Sequence, residues 1–136
     1  MSKTIIYERV PTRNQVLNKC YQNVDFPFLY YPAQLNTQVN ELRRMALQRN
    51  WEVTQTIIEK KTDAKEGLNE LLRAVTYREV DVVMVWAIDR LGRSARDLYD
   101  TMGIINNAGA KVYFHVQENL RLLDFNKFGH CILWRK

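Results

Sequence analysis

The sequence predicts an α/β domain with a mostly parallel central sheet flanked by helices. Apolar and β-branched runs alternate with segments of helical periodicity, in the order strand, helix, strand, helix, strand, helix, strand. The run Val80–Ile88 is almost continuously apolar, which is typical of a strand buried on both faces. A length of 136 residues with 46% hydrophobic residues suits a single domain, spanning residues 1–136, with its own core.

The first part of the chain is predicted to form a strand, a helix and a second strand. Residues Lys3–Val10 are mainly β-branched, aromatic or apolar, and Pro11 ends the strand because proline cannot donate a ladder hydrogen bond. Residues Asn36–Arg49 are predicted as a helix with Asn36 as its N-cap. The apolar residues at helical spacing are Val39, Leu42 and Ala46. Residues Val53–Glu59 are predicted as the second strand.

The second helix is predicted from a capping box. Asp63 and Glu66 have the spacing in which each side chain satisfies a backbone N–H of the first turn. The helix is expected to continue through Val75. Its inward-facing residues are expected to be Leu68, Leu71 and Leu72.

A second capping box begins the third helix. Ser94 and Asp97 have the required spacing, and the helix is expected to run to Asn107. Gly109 follows the helix, where glycine is favoured because the chain often turns left-handed there. Residues Ala110–Val116 are predicted as the last strand of the alternating series.

Two segments do not follow this alternation. Asn18–Gln34 is rich in Tyr, Phe, Asn and Pro without a clear period, and is predicted to be a long loop or an insertion. The tail Leu120–Lys136 is apolar enough to need burial, but its pattern favours neither helix nor strand. No repeat or linker divides the chain, so no domain boundary is expected.

Composition narrows the class of protein. A net charge of +5 and a pI of about 9.3 favour polyanionic partners. No apolar stretch is long enough for a membrane span, and no secretory signal is evident, so no membrane partner is expected. Cys20 and Cys131 are too few for a disulfide framework, which favours the cytoplasm. His130 and Cys131 lack a second ligand pair, so no metal site is expected.

The chemically informative segment is Asp89–Ser94, Asp-Arg-Leu-Gly-Arg-Ser, between the apolar strand and the capped third helix. Arginine binds phosphate oxygens through two parallel N–H donors and stays charged. The free N–H groups of a helix N-terminus also attract anions. The segment is therefore a candidate phosphodiester site, with a solvated loop containing an Asp–Arg pair as the alternative.

Three motifs in this order resemble the catalytic domain of the serine site-specific DNA recombinases, the resolvase/invertase family. They are Tyr7-x-Arg9-Val10-x-Thr12, Lys65-Glu66-Gly67-Leu68 and Val85-Trp86-x-x-Asp89-Arg90-Leu91-Gly92-Arg93-Ser94. Further matching positions are Gln15, Leu35-Asn36-x-Gln38 and Gln117-Glu118-Asn119. The resemblance covers most of the chain apart from Asn18–Gln34 and the extreme C-terminus.

The resemblance implies a resolvase-like three-layer fold and a function in DNA recombination or integration, typical of mobile elements. In the family, a serine attacks a DNA phosphodiester and forms a phosphoserine link, without a metal or nucleotide cofactor. The residues that match the phosphate-clamping arginines are Arg9, Arg90 and Arg93. Asp89 would orient an arginine or assist proton transfer. The supporting positions are Tyr7, Gln15, Gln38 and Lys65.

The sequence departs from the family pattern at four points. Pro11 stands at the serine position and has neither hydroxyl nor N–H. Lys65 replaces an arginine and loses the two-pronged donor. An insertion at about residues 18–34 follows the nucleophile loop. No C-terminal DNA-binding domain is evident, so DNA binding is expected to be weak and directed to the backbone.

Three functions remain open, and the sequence does not decide whether the chain is an enzyme. The first is a recombinase domain without catalysis that binds DNA, or forms a homodimer or a heterodimer with a related recombinase. The second is an active recombinase domain with Thr12 as nucleophile, although neighbouring residues in extended chain point to opposite sides. The third is an interaction module or a decayed mobile-element remnant. DNA binding that weakens steeply with salt separates the first from the third.

Overall fold

Five strands form the central sheet of the computed structural model, which describes residues 2–9, 27–59, 65–92, 94–116 and 125–134. Every pairing in it is parallel, in the order β2-β1-β3-β4-β5. The strands are β1 (Ser2–Arg9), β2 (Trp51–Glu59), β3 (Val82–Val85), β4 (Lys111–Phe114) and β5 (Ile132–Trp134). The α-helices are α1 (Pro27–Gln48), α2 (Glu66–Thr76), α3 (Ala95–Asn107) and α4 (Phe125–Phe128). Short 3-10 turns cover Ile88–Arg90 and Gly129–Cys131.

The helices cover both faces of the sheet and give three layers. Successive residues of β1 alternate between the faces, so Ile6 packs with α1 and Ile5 with α2 and α3. The α1 core contains Ile6, Val39, Leu42, Ala46, Val82, Met84 and Tyr113. The larger core on the other face includes Leu71, Val75, Val85, Leu98, Met102, Ile105 and Phe128. The predicted α/β class with a parallel sheet is confirmed.

Most predicted elements are confirmed with small shifts at their ends. The apolar run Val80–Ile88 contains β3, the central strand, whose four residues are all buried. Gly109 follows α3 with φ of +80°, as its predicted position beyond the helix end requires. The tail, whose pattern was ambiguous, supplies α4 and the edge strand β5.

The predicted start of the first helix is wrong. The helix begins at Pro27 rather than after Asn36, so Asn36 lies inside α1 and not at its N-cap. Residues 27–34 are therefore helical, not the loop that the composition indicated. Pro27 suits a first helical position because its missing N–H has no partner there, whereas Pro32 interrupts the pattern by which a helix is recognised. Residues 18–26 lie outside the described part of the chain.

The predicted capping of the third helix is confirmed. Ser94 is the N-cap residue of α3, and its hydroxyl accepts a hydrogen bond of 3.2 Å from the backbone N–H of Asp97. No described α-helix is long and apolar enough to span a membrane.

Replacing Ser94 with Ala should lower the free energy of unfolding by about 1 kcal/mol, since one N–H of the first turn loses its acceptor. Urea denaturation measures this loss. Ser94→Asp is the control, because aspartate also caps helices and should retain the stability. Equal stability of the alanine variant and the native chain would contradict the capping role.

Candidate anion-binding site

The end of β1 directs alternate side chains to opposite faces of the sheet. Tyr7 and Arg9 lie on the face covered by α2 and α3, whereas Glu8 lies on the α1 face. β1 is hydrogen-bonded to β2 and β3, so its carboxyl end lies within the sheet and not at an edge strand. In parallel α/β sheets, ligands bind outside the carboxyl ends of the strands. The polar residues of β1 therefore occupy the expected place for a binding site.

The Arg9 guanidinium is held by backbone carbonyls of the turn after β3. Its Nε donates to the carbonyl of Arg90 at 3.2 Å, and its Nη2 donates to the carbonyl of Asp89 at 2.6 Å. These two hydrogen bonds fix the position of the Arg9 guanidinium. Arg9 is only 3% exposed and lines a cavity between α2 and α3.

Glu59 joins β1, β2 and the start of α2. Its Oε2 accepts a hydrogen bond from the Tyr7 hydroxyl, and its Oε1 accepts one of 2.9 Å from the backbone N–H of Gly67. A carboxylate at this place satisfies a free N–H of the first helical turn. Lys65 is the N-cap residue and makes no side-chain capping bond within the described chain.

The predicted capping box at α2 is therefore wrong about the start of the helix. Asp63, the expected N-cap, lies outside the described residues, and α2 begins at Glu66, one residue after Lys65. Glu59, at the end of β2, supplies an acceptor for the backbone N–H of Gly67 in the first turn of α2. Gly67 permits this approach, because a Cβ there would lie 2.6 Å from Cγ2 of Ile57 and 2.8 Å from Cγ of Glu59.

The cavity at this edge of the sheet has a volume of about 190 Å³. Two of its lining residues are cationic, Arg9 and the exposed Lys65. The other described residues around it are Tyr7, Leu68, Asn69, Leu72, Leu91, Gly92, Asp97, Asp100, Thr101 and Ile104. The lining also includes two acidic residues, Asp97 and Asp100, so an anion can bind in this cavity only through direct contacts with the Arg9 and Lys65 side chains.

Gly92 forms the part of the cavity wall that approaches α3. A Cβ at this position would lie 2.7 Å from the backbone N and 2.8 Å from Cα of Leu98. Both are backbone atoms of a helix and cannot move aside as a flexible side chain would. Glycine is needed here for a close approach between the loop and the first turn of α3.

Arg90 has a different environment from Arg9. It is 2% exposed, and its Nη1 lies 3.0 Å from Oδ1 of Asp89, with Nε 3.6 Å from Oε1 of Glu8. Glu8 is fully buried, and burial raises the pKa of its carboxyl from 4.5 to about 8, an effect that Arg90 partly offsets. Arg90 is not among the described residues that line the cavity.

The structure brings several predicted site residues together and separates another. Tyr7, Arg9 and Lys65 share the cavity, and Asp89 contributes its carbonyl to Arg9. Gln38 is buried at 4% exposure in α1, on the opposite side of the sheet. The remaining predicted positions, Pro11, Gln15 and Arg93, lie outside the described residues, as do Thr12 and the Gln117-Glu118-Asn119 run. The site roles implied by the resemblance therefore stay predictions.

Two buried carboxylates of this region were not predicted as site residues, namely Glu8 and Glu59. The sequence offers one signal for them, since each is a charged residue at the end of an apolar strand. Such residues are seldom fully buried unless they are paired. Their side-chain partners, Tyr7 for Glu59 and Arg90 for Glu8, come from distant parts of the chain and have no local signature. Within the described ranges, no group of three or more His, Cys, Asp or Glu residues is placed to hold a metal ion.

The fold and the site define a parallel α/β domain with an arginine and a lysine at the carboxyl edge of its sheet. The sequence profile "Resolvase, N terminal domain" matches residues 4–129. The chain belongs to this family, that of the serine site-specific recombinases. A search among curated proteins found no match.

Solved structures of recombinase domains have the same fold. A resolvase family site-specific recombinase from Streptococcus pneumoniae superposes with a TM-score of 0.62 at 18% identity, covering 84% of this chain and 72% of that one. The C-terminal catalytic domain of ISC1926 TnpA, an IS607-like serine recombinase, gives 0.62 at 22% identity, covering 94% and 76%. The N-terminal catalytic domain of TP901-1 integrase gives 0.56 at 18% identity, covering 94% and 96%. At these identities the likeness is one of fold.

Proposed function

We propose that this recombinase-type domain binds the phosphodiester backbone of DNA at the cavity between α2 and α3, and that it does not cleave the backbone. The observation that carries the proposal is the Arg9 guanidinium, which two backbone carbonyls position at the cavity. Lys65 adds a second, exposed cation at the same cavity. A fixed arginine with an exposed lysine nearby suits a phosphate group.

The absence of cleavage follows from the chemistry of residue 11. The family's reaction needs a hydroxyl that displaces the 3′ oxygen of DNA and becomes esterified to the 5′ phosphate. Proline has no nucleophilic side-chain atom. Arginines around a phosphate stabilise the charge of the transition state, but they cannot replace the attacking oxygen. The domain is thus proposed to keep phosphate binding without strand transfer.

Binding to a labelled duplex oligonucleotide tests the phosphate site. We expect Lys65→Gln to reduce the slope of log K against log salt concentration by about 0.9, the amount for one lost phosphate contact. Arg9→Gln should weaken binding about tenfold or more, because charge-assisted hydrogen bonds are lost. Fluorescence anisotropy at several salt concentrations, from roughly 50 to 200 mM, gives both the salt slope and the binding constant.

Matched control variants distinguish DNA binding at the cavity from DNA binding through the overall positive charge of the domain. Lys111 is exposed at the start of β4, at the opposite edge of the sheet, so Lys111→Gln removes the same charge far from the cavity. Arg73→Gln removes an exposed arginine of α2 that is not among the described residues lining the cavity. Equal effects of Lys65→Gln and Lys111→Gln would show diffuse charge attraction and overturn the site. No salt-dependent binding by the native chain would favour an interaction module without a DNA role.

A further inference from the structure

Glu8 is a carboxyl group without solvent exposure at the carboxyl end of an inner strand. It lies on the α1 face of β1, with β2 and β3 hydrogen-bonded on either side. The charged groups that act on it within the described chain are Arg90, Asp89 and Arg9. A buried carboxyl is costly unless a partner compensates it, so its position beside Arg90 needs a structural reason.

Arg90 is held between Glu8 and Asp89. Its Nε faces Oε1 of Glu8 at 3.6 Å, and its Nη1 faces Oδ1 of Asp89 at 3.0 Å. The side chain is 2% exposed, so the guanidinium has exchanged water for contacts with these two carboxyl groups. Arg9 and Arg90 are neighbours at the site, since Arg9 Nε donates to the Arg90 carbonyl. Arg9 lines the cavity, whereas Arg90 is not among the described residues that line it.

We propose that Glu8, in its ionised form, is a positioning residue that withholds Arg90 from the phosphate, so that the cavity binds DNA through Arg9 and Lys65 without Arg90. This inference rests on the proposed function. Once Arg90 loses its Glu8 partner, Asp89 is its one remaining acidic contact among the described residues, and moving the guanidinium toward solvent and phosphate becomes favourable. Glu8 thereby sets how many phosphate contacts the site makes.

Three proteins test this inference: the native chain, Glu8→Leu and the double variant Glu8→Leu/Arg90→Met. The readout is the salt slope of duplex binding at pH 8.5, above the pKa of about 8 of Glu8, so that its carboxylate is mostly ionised. Glu8→Leu should steepen the slope by about 0.9, one added phosphate contact. The double variant, which has the native net charge, should return to the native slope. Glu79→Gln is the control for losing one acidic charge at an exposed position.

The outcomes distinguish this inference from the proposed function. A double-variant slope shallower than the native one would show that Arg90 already contacts phosphate, and would overturn the inference. An unchanged slope for Glu8→Leu would also overturn it. If Arg9→Gln and Lys65→Gln leave native binding unchanged, the proposed function itself fails. If Glu8→Leu does not fold, Glu8→Gln must give the steeper slope instead, since it keeps the shape and removes the charge; an unchanged slope there refutes the inference.

Discussion

Between pH 5 and pH 7.5, the native domain should lose roughly 3 kcal/mol more unfolding free energy than the Glu8→Gln variant. Burial raises the pKa of Glu8 from 4.5 to about 8, so the folded state keeps a proton that the unfolded state has released. Because the folded state binds more protons in this interval, stability falls as pH rises. The stability due to Glu8 is complete below pH 4.5 and is lost as pH rises through about 8. The Glu8→Gln variant has no ionisable group at this position, so this pH dependence of stability is absent from it.

Urea denaturation at half-unit steps of pH measures this difference. The unfolding equilibrium constant of the native chain relative to Glu8→Gln should rise about tenfold per pH unit. Glu79→Gln, which changes an exposed carboxyl, should follow the native curve. A native-to-glutamine difference that stays constant with pH would show that Glu8 is ionised throughout and would refute the prediction.

Gly92→Ala should destabilise the domain by about 3 kcal/mol, the second large effect expected. The added Cβ would lie 2.7 Å from the backbone N and 2.8 Å from Cα of Leu98. Since Leu98 is buried in the core and belongs to the start of α3, the helix or the loop must move. Such a movement would also displace the cavity wall, so the variant should bind duplex DNA more weakly as well as being less stable.

Gly103→Ala is the matched control for the same chemical change. Gly103 lies within α3, and its added Cβ would meet no atom within 4 Å. Alanine should stabilise the helix there by about 0.5–1 kcal/mol, because it restricts the unfolded chain more than glycine does. Thermal and urea unfolding of both variants measure the contrast. Equal stability of Gly92→Ala and the native chain would show that no close approach constrains this loop.

Much of the fold could be predicted because its signals are local. The apolar run around β3 indicates a strand covered on both faces, and the Ser94–Asp97 spacing places the start of α3. The motif after β3 placed Asp89 and Arg90 at the carboxyl edge of the sheet beside Arg9, and the structure finds them there. These predictions depend on periodicity and short-range hydrogen bonds, which a sequence shows directly.

The rest depends on contacts between distant residues. Glu59 satisfies the first turn of α2 from another element, so the local Asp63–Glu66 spacing was misleading. Glu8 and Arg90 are 82 positions apart, and a sequence gives no sign that they share a buried contact. The early start of α1 was hidden by Pro27 and Pro32, which break helical periodicity without preventing the helix.

Covalent trapping tests the central claim, that a phosphate site has been kept without the nucleophile. The native chain and Pro11→Ser are each incubated with supercoiled DNA carrying a site of a related recombinase, then denatured and examined for DNA linked to protein. Duplex binding of both proteins is measured first, so that trapping is compared at equal occupancy. We predict no adduct from the native chain and a phosphoserine adduct from Pro11→Ser. An adduct from the native chain would contradict the account and make Thr12 the first candidate nucleophile.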